Sequence, residues 1–227
     1  MCTAFSWGEG RLFGRNLDLE YHYREEVVVL GRGFPLGYRH IAKDTRHYAI
    51  IGIATVEKGY PLLYDAMNEH GLCIAGLNFV GNAHYHTVRE DRVNLAPYEL
   101  IPYLLSHCRT VAEVRTALLG VILVATPFSE ELPLAELHFL VSDKKESLVI
   151  EPRKRGLTVY RSPCELLTNN PPYAYHLFHC QQYRHLSAEE GEKAFSRGLA
   201  AYGLPGDFSS PSRFVRAFFV KKNATLP

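Results

Sequence analysis

MCTAFSWGEGRLFGRNLDLEY, residues Met1 to Tyr21, opens the chain and holds the reading on which the fold turns. CTAFSW is apolar and β-compatible, EGR is a turn signal, and LFGRNLDL resumes in an extended pattern. A hairpin through that turn carries Arg15 and Asp18 back toward residue 2. Methionine before a small residue is normally trimmed, so Cys2 is expected to lead the mature chain with both a thiol and a free α-amine. Such groups titrate near 8.5 and 8, close enough to neutrality to serve as nucleophile and base with modest tuning. A neighbouring cation favours thiolate and a neighbouring carboxylate holds an amine, and Arg15 and Asp18 are the residue types for those two tasks. An exposed ion pair on an ordinary strand is the plainer reading of the same residues.

Composition narrows the partner. In 227 residues, 47% are hydrophobic, enough for a substantial core, and the formal net charge is +1 with cations and acids interspersed. No basic footprint for nucleic acid or for an anionic membrane results, so a small molecule is expected. No basic segment leads into an apolar one at the amino terminus, and no run of about 18 apolar residues occurs, which predicts neither signal peptide nor membrane span and a cytoplasmic protein. Cys2, Cys73, Cys108, Cys164 and Cys180 form no CxxC pair, and an odd count predicts free thiols. Four of them sit in apolar contexts suited to a small buried hydrophobe; Cys2 differs by position. His84-Tyr85-His86 could present two imidazoles on alternate positions, but no Cys, Asp or Glu completes a tetrad, so no metal and no cofactor are expected.

Farther along, EEVVVLGRG and HYAIIGIATV read as strands. PLLYDAMNEHGLCIAGLNF reads as a turn-rich element, a reversal at His70-Gly71 and a strand from Leu72 to Phe79. From about Ala96 the period becomes helical: YELIPYLLSHC is followed by VAEVRTALLG, which Thr110 and Glu113 open in capping-box form and Gly120 closes. LAELHFLVSD, ESLVIEP and LTVYRS, separated by polar turns, form a β-meander. The polar stretch from Ser187 to Arg213 reads as a long excursion with one short helix, ahead of an amphipathic helix in PSRFVRAFFVKK. No repeat or linker divides residues 1–227, and strands, paired helices, strands and helix predict stacked layers in one domain.

Three further residues fit the same chemistry. Asn78 ends the apolar strand GLNF, Asn169 stands in LLTNNPP before two prolines, and Arg213 opens the last helix. Each could be a turn or cap residue. Acyl transfer through a thioester, however, needs donors aimed at an oxyanion, and amides at strand ends can supply them.

Together MCT, FGRNLDLEY, YPLLYDAMNEHGLCIAGLNF, LLTNNP and GLPGDFSSPSRFVRA resemble, in that order, the choloylglycine hydrolase family, which includes bile salt hydrolases and penicillin V acylases. The resemblance implies an α+β fold, the four-layer αββα sandwich of the N-terminal-nucleophile hydrolases with antiparallel sheets, in which Cys2 attacks a carboxamide. It implies that Arg15 lies by the thiol, that Asp18 holds the α-amine, that Asn78 and Asn169 serve the oxyanion hole and the orientation of the terminus, and that Arg213 is a second arginine near the nucleophile. Asparagine at 78, where penicillin V acylases tend to carry tyrosine, looks like the bile salt hydrolases, so glycine- or taurine-conjugated bile salts are the expected substrate. Penicillin V or another N-acyl amide is the alternative within this chemistry, and a non-catalytic relic or binding protein the alternative outside it. Tyr21, Tyr23 and Phe79 are expected to line a pocket for the steroid body. The family also implies a homo-oligomer, a tetramer. Its members continue past the last helix with strands that complete the second sheet, so the chain is expected to be C-terminally incomplete.

Overall fold

The computed structural model of the chain describes residues 1–8, 12–189 and 200–225. The opening stretch is a hairpin. β1 (Thr3–Trp7) and β2 (Leu12–Asn16) pair antiparallel, Thr3 opposite Asn16, Ala4 opposite Arg15 and Trp7 opposite Leu12. The expected turn at residues 9–11 lies outside the described residues. β12 (Leu166–Leu167) pairs with the other side of β1, so a strand following Cys2 occupies the middle of a three-stranded sheet, order β12-β1-β2.

A second sheet supplies the platform. β3 (Glu26–Leu30), β4 (Ile50–Glu57), β5 (Tyr60–Asn68), β6 (Cys73–Asn78), β9 (Leu137–Ser142), β10 (Ser147–Arg153) and β11 (Gly156–Arg161) form seven antiparallel strands in the order β11-β10-β9-β6-β5-β4-β3. β7 (Val93–Leu95) and β8 (Val121–Leu123) pair parallel beside it, which the sequence pattern does not predict. The segment from Tyr60 to Asn68, expected to be turn-rich, is instead a nine-residue strand. Its alternation is real but partly polar: Pro61, Leu63 and Ala66 are buried, while Tyr64 and Asp65 interrupt the apolar pattern.

Both faces of the central strands are covered, which explains their nearly continuous apolar sequences. On one face Ile74, Phe139, Val141, Leu148 and Ile150 pack under α1 (Leu100–His107) and α2 (Val111–Ala117). On the other, Ala75, Leu77, Leu140 and Val149 meet Ala4, Leu166 and Leu167 of the small sheet, and Tyr173 and Phe214 add α3 (Tyr173–Gln181) and α4 (Ser210–Asn223) outside it. Helix, sheet, sheet, helix is the αββα sandwich. α2 starts as its sequence predicts, with the Thr110 hydroxyl accepting from Glu113 N–H; the Glu113 carboxylate, however, accepts from Arg109 N–H at 2.6 Å. α3 has no counterpart in the sequence expectations. Of the polar stretch from Ser187 to Arg213, expected to hold one short helix, residues 190–199 lie outside the described residues. No described helix is long and apolar enough to cross a membrane.

Gly52 fixes how closely β4 and β5 approach. A Cβ there would lie 2.4 Å from the Asp65 carbonyl oxygen and 2.5 Å from Ala66 Cβ, beside a register shift between Ile53 and Ala54.

Candidate active site

Cys2 is buried where the two sheets meet, just before β1 begins. Ala4 pairs with Arg15 across the hairpin, and the guanidinium returns along the sheet so that Arg15 Nη2 donates to Cys2 Sγ at 3.1 Å. The other end of that guanidinium is held from the large sheet: Nη1 donates to the Tyr64 carbonyl at 3.1 Å and reaches Asp65 Oδ2 at 3.3 Å. Burial raises the Asp65 carboxyl above the usual carboxylate range, and the Arg15 charge works against that shift. Asp65 is a site residue that the sequence reading does not supply. Its signal was an acid within an apolar strand, but only the stacking of the two sheets puts it beside Arg15.

Asn169 and Arg213 meet at the backbone of Cys2. Asn169 Oδ1 accepts from Cys2 N–H at 2.8 Å and from Arg213 Nη2 at 2.8 Å, while its Nδ2 donates to the Asn78 carbonyl at 2.9 Å. Arg213 Nη1 donates to the Cys2 carbonyl and, at 2.8 Å, to Thr3 Oγ1. Burial lowers the Arg213 guanidinium below its ordinary value, and the adjacent Cys2 opposes that shift. The Asn169 carboxamide is thus engaged at both ends. The Asn78 side chain is exposed to the cavity in front of Cys2.

Asp18 is placed differently from expectation. Its carbonyl accepts from the Met1 ammonium at 2.7 Å and its Oδ2 lies 3.2 Å from it, because in the chain with Met1 present the charged amine belongs to residue 1. The backbone nitrogen of Cys2 instead lies on Asn169.

A cavity of about 270 Å³ opens above the sulfur. Cys2, Arg15 and Asn78 supply polar groups at its base, and Leu17, Tyr23, Leu62, Tyr64, Tyr98, Phe128, Leu132 and Leu134 are among its walls. Of the three aromatics expected to line it, only Tyr23 does. Phe79, the residue after β6, is fully buried with its ring stacked on His138 at 4.3 Å and belongs to the core. Tyr21 is 70% exposed and lies over a separate hollow with Glu20, His22 and Glu25. The wall contributed by residues 127–135 comes from an aperiodic, proline-containing loop, so sequence periodicity could not reveal it. Arg39 secures that loop by donating to the Phe128 carbonyl and, at 2.9 Å, to Tyr98 Oη.

Four further free thiols lie elsewhere in the fold. Burial pushes Cys73 up to about 12 and Cys108 and Cys164 up to about 11, and it also raises Cys180. None of those four lies against an arginine donor among the described residues. His84 and His86 meet edge to face at 4.9 Å, and no group of three or more metal-ligating side chains occurs among the described residues.

Two facing antiparallel sheets under outer helices, with Cys2 leading into the middle strand of the smaller sheet, are the αββα fold of the N-terminal-nucleophile hydrolases. Residues 2–226 match the model of linear amide C–N hydrolases, choloylglycine hydrolase family. A bile salt hydrolase/transferase of Lactiplantibacillus plantarum is 49% identical, over 99% of this chain and 72% of its own length. A conjugated bile acid hydrolase of Lactobacillus gasseri is 35% identical over 98% and 75%. Among solved structures, a mutant of the conjugated bile acid hydrolase from Clostridium perfringens superposes with a TM-score of 0.89 at 33% identity, over 98% of this chain and 72% of that one. Penicillin V acylase from Agrobacterium tumefaciens shares the fold, with a TM-score of 0.73 at 21% identity. The chain belongs to the choloylglycine hydrolase family and is a linear amide C–N hydrolase by descent.

Proposed function

We propose that this chain hydrolyses the amide bond of glycine- or taurine-conjugated bile salts, with Cys2 as nucleophile once Met1 is removed. The observation that carries the reading is Cys2 lining an apolar cavity, its Sγ against the Arg15 guanidinium, with Asn78 lining the same cavity. The sulfur attacks the substrate carbonyl carbon, forming the S–C bond while negative charge moves to oxygen. Asn78 is the donor available to that oxyanion. Asn169, engaged by Cys2 and Arg213, holds the terminus in place. Breakage of the C–N bond releases glycine or taurine with a proton from the α-ammonium of Cys2, and water then cleaves the thioester. With Met1 gone, Asp18 loses the amine it binds and its carboxylate is left to hold the α-amine of Cys2. The leucine and aromatic walls suit a steroid body, Tyr23 among them. The protein acts in the cytoplasm and as a homo-oligomer; exposed apolar side chains on β3 and β4 support the latter.

Parallel assays of glycocholate, taurocholate and penicillin V test the substrate class. Conjugated bile salts are expected to turn over at least about ten-fold faster in kcat/KM, the discrimination that about 1.4 kcal/mol of transition-state binding provides. Equal or reversed rates would overturn the assignment and leave the cysteine chemistry standing.

A further inference from the structure

Beneath the site lie two imidazoles for which the reaction has no direct use. His138 and His176 are 0% and 1% exposed, and their surroundings share a pattern. His138 Nε2 lies 2.8 Å from the Thr168 carbonyl oxygen, and its ring stacks on Phe79 with planes 10° apart. His176 Nε2 lies 2.9 Å from the Asn169 carbonyl oxygen, and its ring stacks on Phe214 at 4.9 Å with planes 11° apart. Thr168, Phe79 and Phe214 are the chain neighbours of Asn169, Asn78 and Arg213. We infer that His138 and His176 are positioning residues for the cysteine site: each clamps, by one N–H to carbonyl bond and one ring stack, the backbone that carries Asn78, Asn169 and Arg213.

Those three residues need such a clamp because each stands where regular structure ends. Asn78 is the last residue of β6, Asn169 follows the two-residue β12, and Arg213 lies in the first turn of α4. Their side chains must converge on one cysteine, yet no sheet ladder joins the three segments. A carbonyl oxygen only accepts, so both Nε2 atoms carry the proton and both Nδ1 atoms are left with a lone pair. Among the described residues neither Nδ1 has a hydrogen-bond partner, as an uncharged ring in this tautomer allows. The charged or titratable groups facing the pair are Glu151, whose Oε1 is 3.7 Å from His138 Nδ1 and accepts from Tyr173 N–H at 2.6 Å, then Arg153, Tyr173 and His179. Burial lowers both imidazoles, His176 to about 4, so the N–H donors persist uncharged at neutral pH. Thr168 Oγ1 also accepts from Ser210 Oγ at 2.9 Å, tying the same loop to the start of α4.

This role presupposes the cysteine-amidase reading, and two measurements keep the failure of one apart from the failure of the other. Long-range 1H–15N spectra of the labelled protein need no substrate. They should show His138 and His176 uncharged with the proton on Nε2 from pH 5 to 8; a proton on Nδ1, or titration within that range, would overturn the clamp. Glycocholate kinetics then compare His176→Gln with His176→Met, and His138→Gln with His138→Met. Glutamine keeps an N–H near the Nε2 position, and methionine keeps the length without the donor. The Met variants should lose roughly 10–100-fold in kcat with KM within about three-fold, the scale of a misaligned catalytic group, and the Gln variants should recover most of it at a similar Tm. Equal kcat in the Gln and Met forms, or losses that track Tm, would make the histidines merely structural. Should one Met form not fold, the pair at the other histidine decides. A parent protein that leaves glycocholate intact would overturn the substrate reading, while the spectra still decide the clamp.

Discussion

Arg15 is the residue through which the two sheets act on the Cys2 thiol. One end of its guanidinium faces Cys2 Sγ and the other is held by the Tyr64 carbonyl and the Asp65 carboxylate, so the positive charge is fixed in direction as well as in place. Arg15→Lys keeps the charge but cannot span those partners, and kcat/KM for conjugated bile salt is expected to fall about 100-fold. Asp65→Asn retains shape and loses the anion that anchors Arg15; an about ten-fold loss in kcat/KM with Tm little changed is expected, read by steady-state kinetics and thermal melts. An Asp65→Asn enzyme as active as the parent would remove Asp65 from the site. The sequence alone brings Arg15 and Asp18 toward Cys2, because a hairpin is a local object and its register follows from its turn. Asp65 escapes such reading because its partner comes from another sheet. Phe79 escapes it for a different reason: its ring turns into the core against His138, and resemblance of the surrounding motif does not reveal which way a neighbour turns.

At the scale of elements, the β4–β5 pair sets the position of Asp65. Gly52→Ala would drive a methyl into the Asp65 carbonyl and Ala66, and overpacking of this kind costs about 1–3 kcal/mol. Urea unfolding should register that loss, with activity falling further than Asp65→Asn causes because the strand itself shifts. The buried histidines add a pH dependence. His176 is held down to about 4 against an ordinary value of 6.5, so between those values the unfolded chain binds more protons than the folded one. Stability is therefore fully present above about pH 6.5 and is lost as pH falls toward 4, by on the order of 3 kcal/mol from this group. Urea midpoints at pH 7.5 and 4.5 should differ accordingly, and His176→Gln should flatten the difference. The helix carrying His176 was illegible beforehand: YAYHLFHCQ is rich in aromatic and histidine residues, its helical propensity is modest, and only Tyr173 and His176 are buried. The meander β9–β10–β11 and the helices α1, α2 and α4 were legible because periodicity, caps and polar turns coincide there.

For the whole molecule, the sandwich is unevenly covered. The three-stranded sheet lies over β6, β9 and β10, whereas Val29, Ile51 and Met67, aligned across β3, β4 and β5, are 71%, 45% and 42% exposed. Val27 continues the band along β3, an edge strand. Contiguous apolar surface on an edge promotes association, so light scattering should show self-association that Val29→Lys combined with Ile51→Thr reduces, with Tm little altered. A monomeric parent would contradict that expectation. The order of the five motifs made the family and the αββα layering legible in the sequence; how far each layer extends over its neighbour required the pairing registers, and the chain spans 72% of the length of its Lactiplantibacillus relative. The central claim concerns Cys2, and amino-terminal mass analysis joined to an assay of glycine release from glycocholate tests it most directly. The account predicts a chain lacking Met1 that releases glycine, and a Cys2→Ala chain, equally folded, in which release falls at least about 1,000-fold. Release that continues in Cys2→Ala, or no release from a folded chain that begins at Cys2, would contradict it.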